Sequence, residues 1–114
     1  MEGMTLYVRV ALTVHDGKQA EFEETAKALK AQAADETGTH TYRWFSDAPG
    51  SYTVIEEYTD ADASSEHNRA GRELLAKLNT VATITALDIY GELNDRLKGL
   101  VDALPNAKAH SEEF

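Results

Sequence analysis

With 114 residues and no cysteine, the chain has room for one modest core and cannot use thiolate nucleophiles, disulfides, iron–sulfur clusters or thiolate zinc sites. The 11 Lys and Arg are scattered among 20 Asp and Glu, and a formal charge of −9 without a basic stripe speaks against nucleic acid. The longest apolar runs are too short to span a bilayer, so no membrane partner is expected.

Thr5 to Val14 alternates, with Leu6, Val8, Val10, Leu12 and Val14 on one face and Tyr7, Arg9, Ala11 and Thr13 on the other, which predicts a strand. Asp16-Gly17 breaks it. From Lys18 the period becomes helical, with Phe22, Ala26, Leu29 and Ala33 on one side and Gly38 as the C-terminal stop. A second strand, roughly Thr39 to Asp47, carries Tyr42, Trp44 and Phe45. Pro49-Gly50 then turns the chain into a third, Ser51 to Tyr58, so the two form a hairpin.

Asp60 or Asp62 caps the next helix, whose predicted apolar stripe is Ala63, His67, Ala70, Leu74, Leu75 and Leu78. Gly71 interrupts it, as a kink or a point of close approach. Thr83 to Tyr90 reads as a fourth strand ended by Gly91. A last helix from about Asn94 gathers Leu93, Leu97, Leu100, Val101 and Leu104 on one side and stops at Pro105. Residues 1–104 then make one domain, and 105–114 a polar tail expected to be mobile.

The order β-α-β-β-α-β plus a helix is the ferredoxin-like α+β arrangement, in which helices cover only one face of the sheet. The other face would show Tyr7, Ala11, Thr53 and Ile55, too apolar for water, and a homodimer formed face to face is expected. The opening Met1-Glu2-Gly3-Met4 lacks the basic and apolar regions of a secretory signal, and a cytoplasmic location is expected.

The chemistry concentrates where the third strand enters the second helix. Glu56 and Tyr58 are two residues apart and share a strand face, and His67 follows nine residues after Tyr58. A carboxylate, a phenol and an imidazole can therefore converge between the sheet and its helix. Glu57 points the other way from Glu56, but one bulge would exchange them, so which faces the site stays open. Glu56 is placed to orient His67 and set its tautomer. The same residues also fit a purely structural histidine bonded to Glu56 or to a backbone carbonyl. Tyr42 and Trp44 share one face, as a substrate wall or as packing. His15, His40, His67 and His110 show no i, i+4 pair and no His-x-His, so no metal site is expected.

The segment Glu56-x-Tyr58 with Asp60, Ala63 and His67, together with Gly17-Lys18 opening the first helix, resembles the antibiotic-biosynthesis monooxygenase family of the dimeric α+β barrel superfamily over about residues 5 to 91. That resemblance implies a pocket between sheet and helices. It also implies oxidation of a small aromatic or quinol-type substrate by molecular oxygen, without metal, flavin or other cofactor. His67 would be the catalytic base, and Tyr42, Trp44, Glu56 and Tyr58 would bind the substrate. The segment Asn68 to Arg72 departs from the polar-plus-aromatic stretch that often follows this histidine. The chain after Gly91 is longer than in many members, suggesting an extra cover for the pocket or the dimer. The alternative is a non-catalytic small-molecule-binding or structural dimer of the same fold. The two readings divide at His67: a base faces a cavity large enough for a ring, a structural histidine has both nitrogens bonded.

Overall fold

The computed structural model describes residues 4–114. Met1 to Gly3, whose character bore on location, lie outside the described residues. The elements are β1 (Leu6–Val14), α1 (Gln19–Ala34), β2 (Thr39–Ala48), β3 (Ser51–Tyr58), α2 (Ala61–Ala70), α3 (Arg72–Val81), β4 (Ala82–Tyr90), α4 (Asp95–Ala103) and β5 (Ala107–His110). The sheet runs β2-β3-β1-β4-β5; β1 is antiparallel to β3 and β4, β2 to β3, and β5 joins β4 in parallel. This is the ferredoxin-like α+β fold with one added strand. No helix among the described residues is long and apolar enough to cross a membrane.

Strand alternation does what the sequence demands. Leu6, Val8 and Leu12 of β1 and Val54 of β3 are buried under the helices, against Phe22 and Leu29 of α1, Leu78 of α3 and Leu97 of α4. The alternate residues stay open on the far face, where Tyr7 is 49%, Phe45 42%, Ile55 37% and Tyr90 39% exposed.

Three local expectations change. Helix α1 stops at Ala34, with the Asp35 N–H reaching back to the carbonyls of Ala33 and Gln32, so Gly38 is not its stop. Gly38 is also not in the left-handed conformation. It is needed for closeness: a Cβ there would lie 2.7 Å from the Ala63 Cβ, far inside contact distance. The turn before β2 thus rests directly on the start of α2.

The predicted second helix is two helices meeting at Gly71. A Cβ at that glycine would come within 3.1 Å of the Gln32 amide and 3.3 Å of the His67 carbonyl oxygen, so the break coincides with close approach by α1. The inward face of α2 is Ala61, Ser64 and His67, while Ala70 of the expected stripe is exposed.

The tail also holds an element that the sequence did not suggest. Residues 107–110 pair with β4, the His110 ring stacks on Tyr90 at 4.5 Å, and its Nε2 lies 2.8 Å from the Asp88 carboxylate, which also holds Arg9. This short segment becomes a strand because β4 would otherwise leave its edge N–H and C=O groups unpaired.

Candidate active site

A cavity of about 580 Å³ lies between the sheet and the helices, inside the range of small-molecule pockets. Its walls are apolar for most of their extent: Val8, Val10 and Val54 from the sheet, Leu78 from α3, Leu97 and Leu100 from α4. Polar groups gather at one end, where half-buried Tyr42 (β2) meets the buried Glu56 (β3), Ser64 and His67 (α2). The exposed Asn79, Thr83, Pro105 and Asn106 border the other.

Helix α4 closes this space because Asn94 ties it down. Its Oδ1 caps the Leu97 N–H at 2.9 Å, and its Nδ2 donates to Asp62 of α2 at 2.8 Å. The chain beyond Gly91 therefore covers the cavity, as its extra length suggested.

His67 is 2% exposed and walls both the main cavity and a smaller cleft lined by Asp35, Glu36, Thr39 and Glu66. Its Nδ1 is 2.6 Å from Glu36 Oε1. Glu36 also accepts from Gln32 at 2.7 Å and from Thr39 at 2.9 Å. Burial works to raise the Glu36 carboxyl, but these hydrogen bonds, with the imidazole's charge, together hold it below its ordinary value. An ionised acceptor at this distance favours a proton on Nδ1. Nε2 has no hydrogen-bond partner among the described residues.

Glu56 does not orient His67, as the sequence suggested; it accepts a hydrogen bond from the Tyr58 hydroxyl. Burial is the first cause that pushes its carboxyl up to about 7, with Glu36 adding and the Tyr58 hydrogen bond opposing. Glu56, and not Glu57, faces the cavity; Glu57 accepts from Thr41 at 2.8 Å. Burial likewise raises the phenols of Tyr42 and Tyr58, so both stay protonated near neutral pH.

Of the five residues singled out in the sequence, His67, Tyr42, Trp44 and Glu56 line the cavity. Tyr58 does not: it is fully buried behind the wall, its ring centroid 5.7 Å from that of His67, and it acts through Glu56. Tyr42 lies closer, at 4.9 Å from the His67 ring, and Trp44 stands edge-on to it at 6.0 Å. The indole N–H of Trp44 is buried without a partner among the described residues.

Sequence reasoning missed Glu36, which is 31 positions from His67 in a loop without periodicity. It also missed Ser64 and Asn68 of α2 as wall residues. Only Gly38 marked that loop, and its meaning was steric. No group of three or more His, Asp or Glu among the described residues is arranged to hold a metal ion.

Fold and cavity define the class: a ferredoxin-like α+β protein with an interior pocket between its sheet and helices. The model of the antibiotic biosynthesis monooxygenase family matches residues 5–72, more than half of the chain, which therefore belongs to that family.

Among solved structures, MupZ from Pseudomonas fluorescens superposes with a TM-score of 0.83 at 18% identity, over 97% of this chain and 92% of that one. SnoaB, a cofactor-independent oxygenase from Streptomyces nogalater, gives 0.67 at 21% identity, over 80% and 95%. A Caulobacter crescentus protein provisionally assigned to the same family gives 0.64 at 27% identity, over 76% and 86%. A search of curated proteins by sequence finds no significant match. The MupZ likeness is long enough to include α4, which lies beyond the segment matched by the family model.

Proposed function

We propose that the protein is a cofactor-independent monooxygenase that oxidises a small aromatic or quinol-type substrate with molecular oxygen in this cavity. One observation carries the reading: His67 offers an unpartnered Nε2 to an apolar cavity while Nδ1 is tied to a carboxylate. That is the arrangement of an oriented general base, and it differs from a histidine packed on all sides. Family membership and the cofactor-independent oxygenase among the structural neighbours support the same direction.

In this reading the ring lies along the apolar wall, beside Tyr42 and Trp44. Nε2 takes the proton of its hydroxyl or activated CH, and Glu36 stabilises the imidazolium that forms. The electron-rich anion passes an electron to oxygen, and the resulting radicals combine at carbon as a peroxide. Loss of water then leaves a carbonyl, so that R₂CH₂ and O₂ become R₂C=O and H₂O. The leucine-lined walls exclude bulk water from the anion.

The test is oxygen uptake by metal-free protein with reduced quinones, hydroxyquinols and anthrones, wild type beside His67→Ala. Turnover that falls by roughly 10²–10⁴ in the variant is expected for a lost general base. Turnover that survives the substitution sinks the assignment of His67, and no turnover on any of these compounds turns the reading toward a non-catalytic binding protein.

The exposed Tyr7, Phe45, Ile55 and Tyr90 on the uncovered sheet face support a homodimer in which a second copy covers them. Sedimentation equilibrium should give twice the 12.5 kDa chain mass; a monomer at micromolar concentration would remove the proposal.

A further inference from the structure

Among the described residues, Glu56 is the one carboxyl on the cavity wall, and no lysine or arginine shares that wall. In the sheet it sits between Val8 of β1 and Tyr42 of β2. It is 8% exposed. One oxygen accepts from Tyr58; the other has no hydrogen-bond partner among the described residues, yet it is not among the sealed polar atoms, so it borders open space.

The titratable groups facing it are few: Tyr42 from β2, Tyr58 from β3, and His67 from α2 with Glu36 behind it. The wall residues from β1, β4, α3 and α4 are uncharged. A carboxylate here would lack a counter-cation and most of its hydration, and the environment favours the neutral acid.

We propose that Glu56 is a second catalytic residue: its free oxygen, carrying a proton, donates to the ligand oxygen on which negative charge develops, opposite the proton taken by His67. This rests on the reading of the cavity as a site for an oxygen-bearing ring. It gives the two ionisable pairs separate tasks. His67, backed by ionised Glu36, accepts a proton; Glu56, held by Tyr58, supplies one. Both flank Tyr42, which packs against the His67 ring and is the cross-strand neighbour of Glu56. The ligand class follows from the wall: an aromatic with an apolar body and an oxygen at its deep end that accepts a hydrogen bond. An anionic ligand group would be refused there once Glu56 ionises.

The experiment needs no turnover. Protein labelled with ¹³C at the glutamate carboxyls is titrated by NMR from pH 5 to 8.5, free and with saturating 2-naphthol, and the Glu56 signal is assigned by its loss in Glu56→Gln. The free protein should show a midpoint near about 7. Naphthol should move it upward by about half a unit, and by linkage naphthol affinity should fall about threefold over the same rise in pH.

A midpoint at the ordinary carboxylate value overturns the proposal. So does a Glu56 signal that ignores naphthol while other cavity signals move, or failure of millimolar naphthol to bind. If Glu56→Gln misfolds, the titration still decides, with assignment by elimination through the other glutamates. Binding linkage that survives without any oxygen uptake would retire the monooxygenase reading and with it the catalytic task, and would leave Glu56 as a proton donor to the oxygen of a bound ligand.

Discussion

Two carboxyls, half-buried Glu36 bonded to His67 and buried Glu56 beside Tyr42, lie at the ends of the packed Tyr42–His67 pair, and the protein treats them in opposite ways. Glu36 is partly open to solvent and accepts hydrogen bonds from Gln32, Thr39 and His67, so its carboxyl is held low and ionised. Glu56 has one hydrogen bond and faces an apolar cavity, so burial holds its carboxyl high, at about 7. The same side chain becomes a partner for an imidazolium in one place and a weak acid in the other. The number of donors and the access of water decide which. Family patterns of residue type contain neither quantity.

The largest effect that sharpens this contrast is at Glu36. Glu36→Gln keeps the volume but removes the charge that holds the His67 tautomer and supports its protonated form. Oxygen uptake on an accepted substrate should drop on the order of 10²-fold, and the imidazole ¹⁵N signals should report a mixture of tautomers. Unchanged turnover with unchanged ¹⁵N signals would mean that Glu36 is only a structural partner.

The next effect is on stability at Glu56. Its folded-state value lies above the ordinary 4.5, so the native state keeps a proton that the unfolded chain has already lost. This contribution is full below the unfolded value and disappears as pH rises through about 7. Denaturant unfolding at pH 5 and pH 8.5 should show wild type losing up to roughly 3 kcal/mol relative to Glu56→Gln across that range. Parallel curves for the two proteins would show that water reaches Glu56 and that its environment is not the one described.

The smallest effect tests how Glu36 comes to meet His67 at all. Gly38→Ala places a methyl against the Ala63 Cβ, and overpacking of this kind costs about 1–3 kcal/mol. The turn should move away from α2 and lengthen the contact between Glu36 and His67, visible as a change in the His67 Nδ1 proton signal. A variant with wild-type stability and an unchanged signal would show that the turn adapts without cost.

By itself the sequence determined the order of β1 to β4 with helical segments after β1, β3 and β4 and the face of each strand that turns inward, and it singled out Tyr42, Trp44, Glu56 and His67 as residues able to meet. These follow from periods of two and 3.6 residues and from a short link between β3 and α2, all of them local. Only the tertiary structure decided which carboxylate orients His67, because a contact across 31 residues depends on how closely the turn at Gly38 approaches α2. It alone decided that Tyr58 stands behind the wall and that Asn94 fastens α4 over the cavity. It also made residues 107–110 a strand, since four residues are too short a run to announce one and their backbone pairs only because the β4 edge is there to receive it.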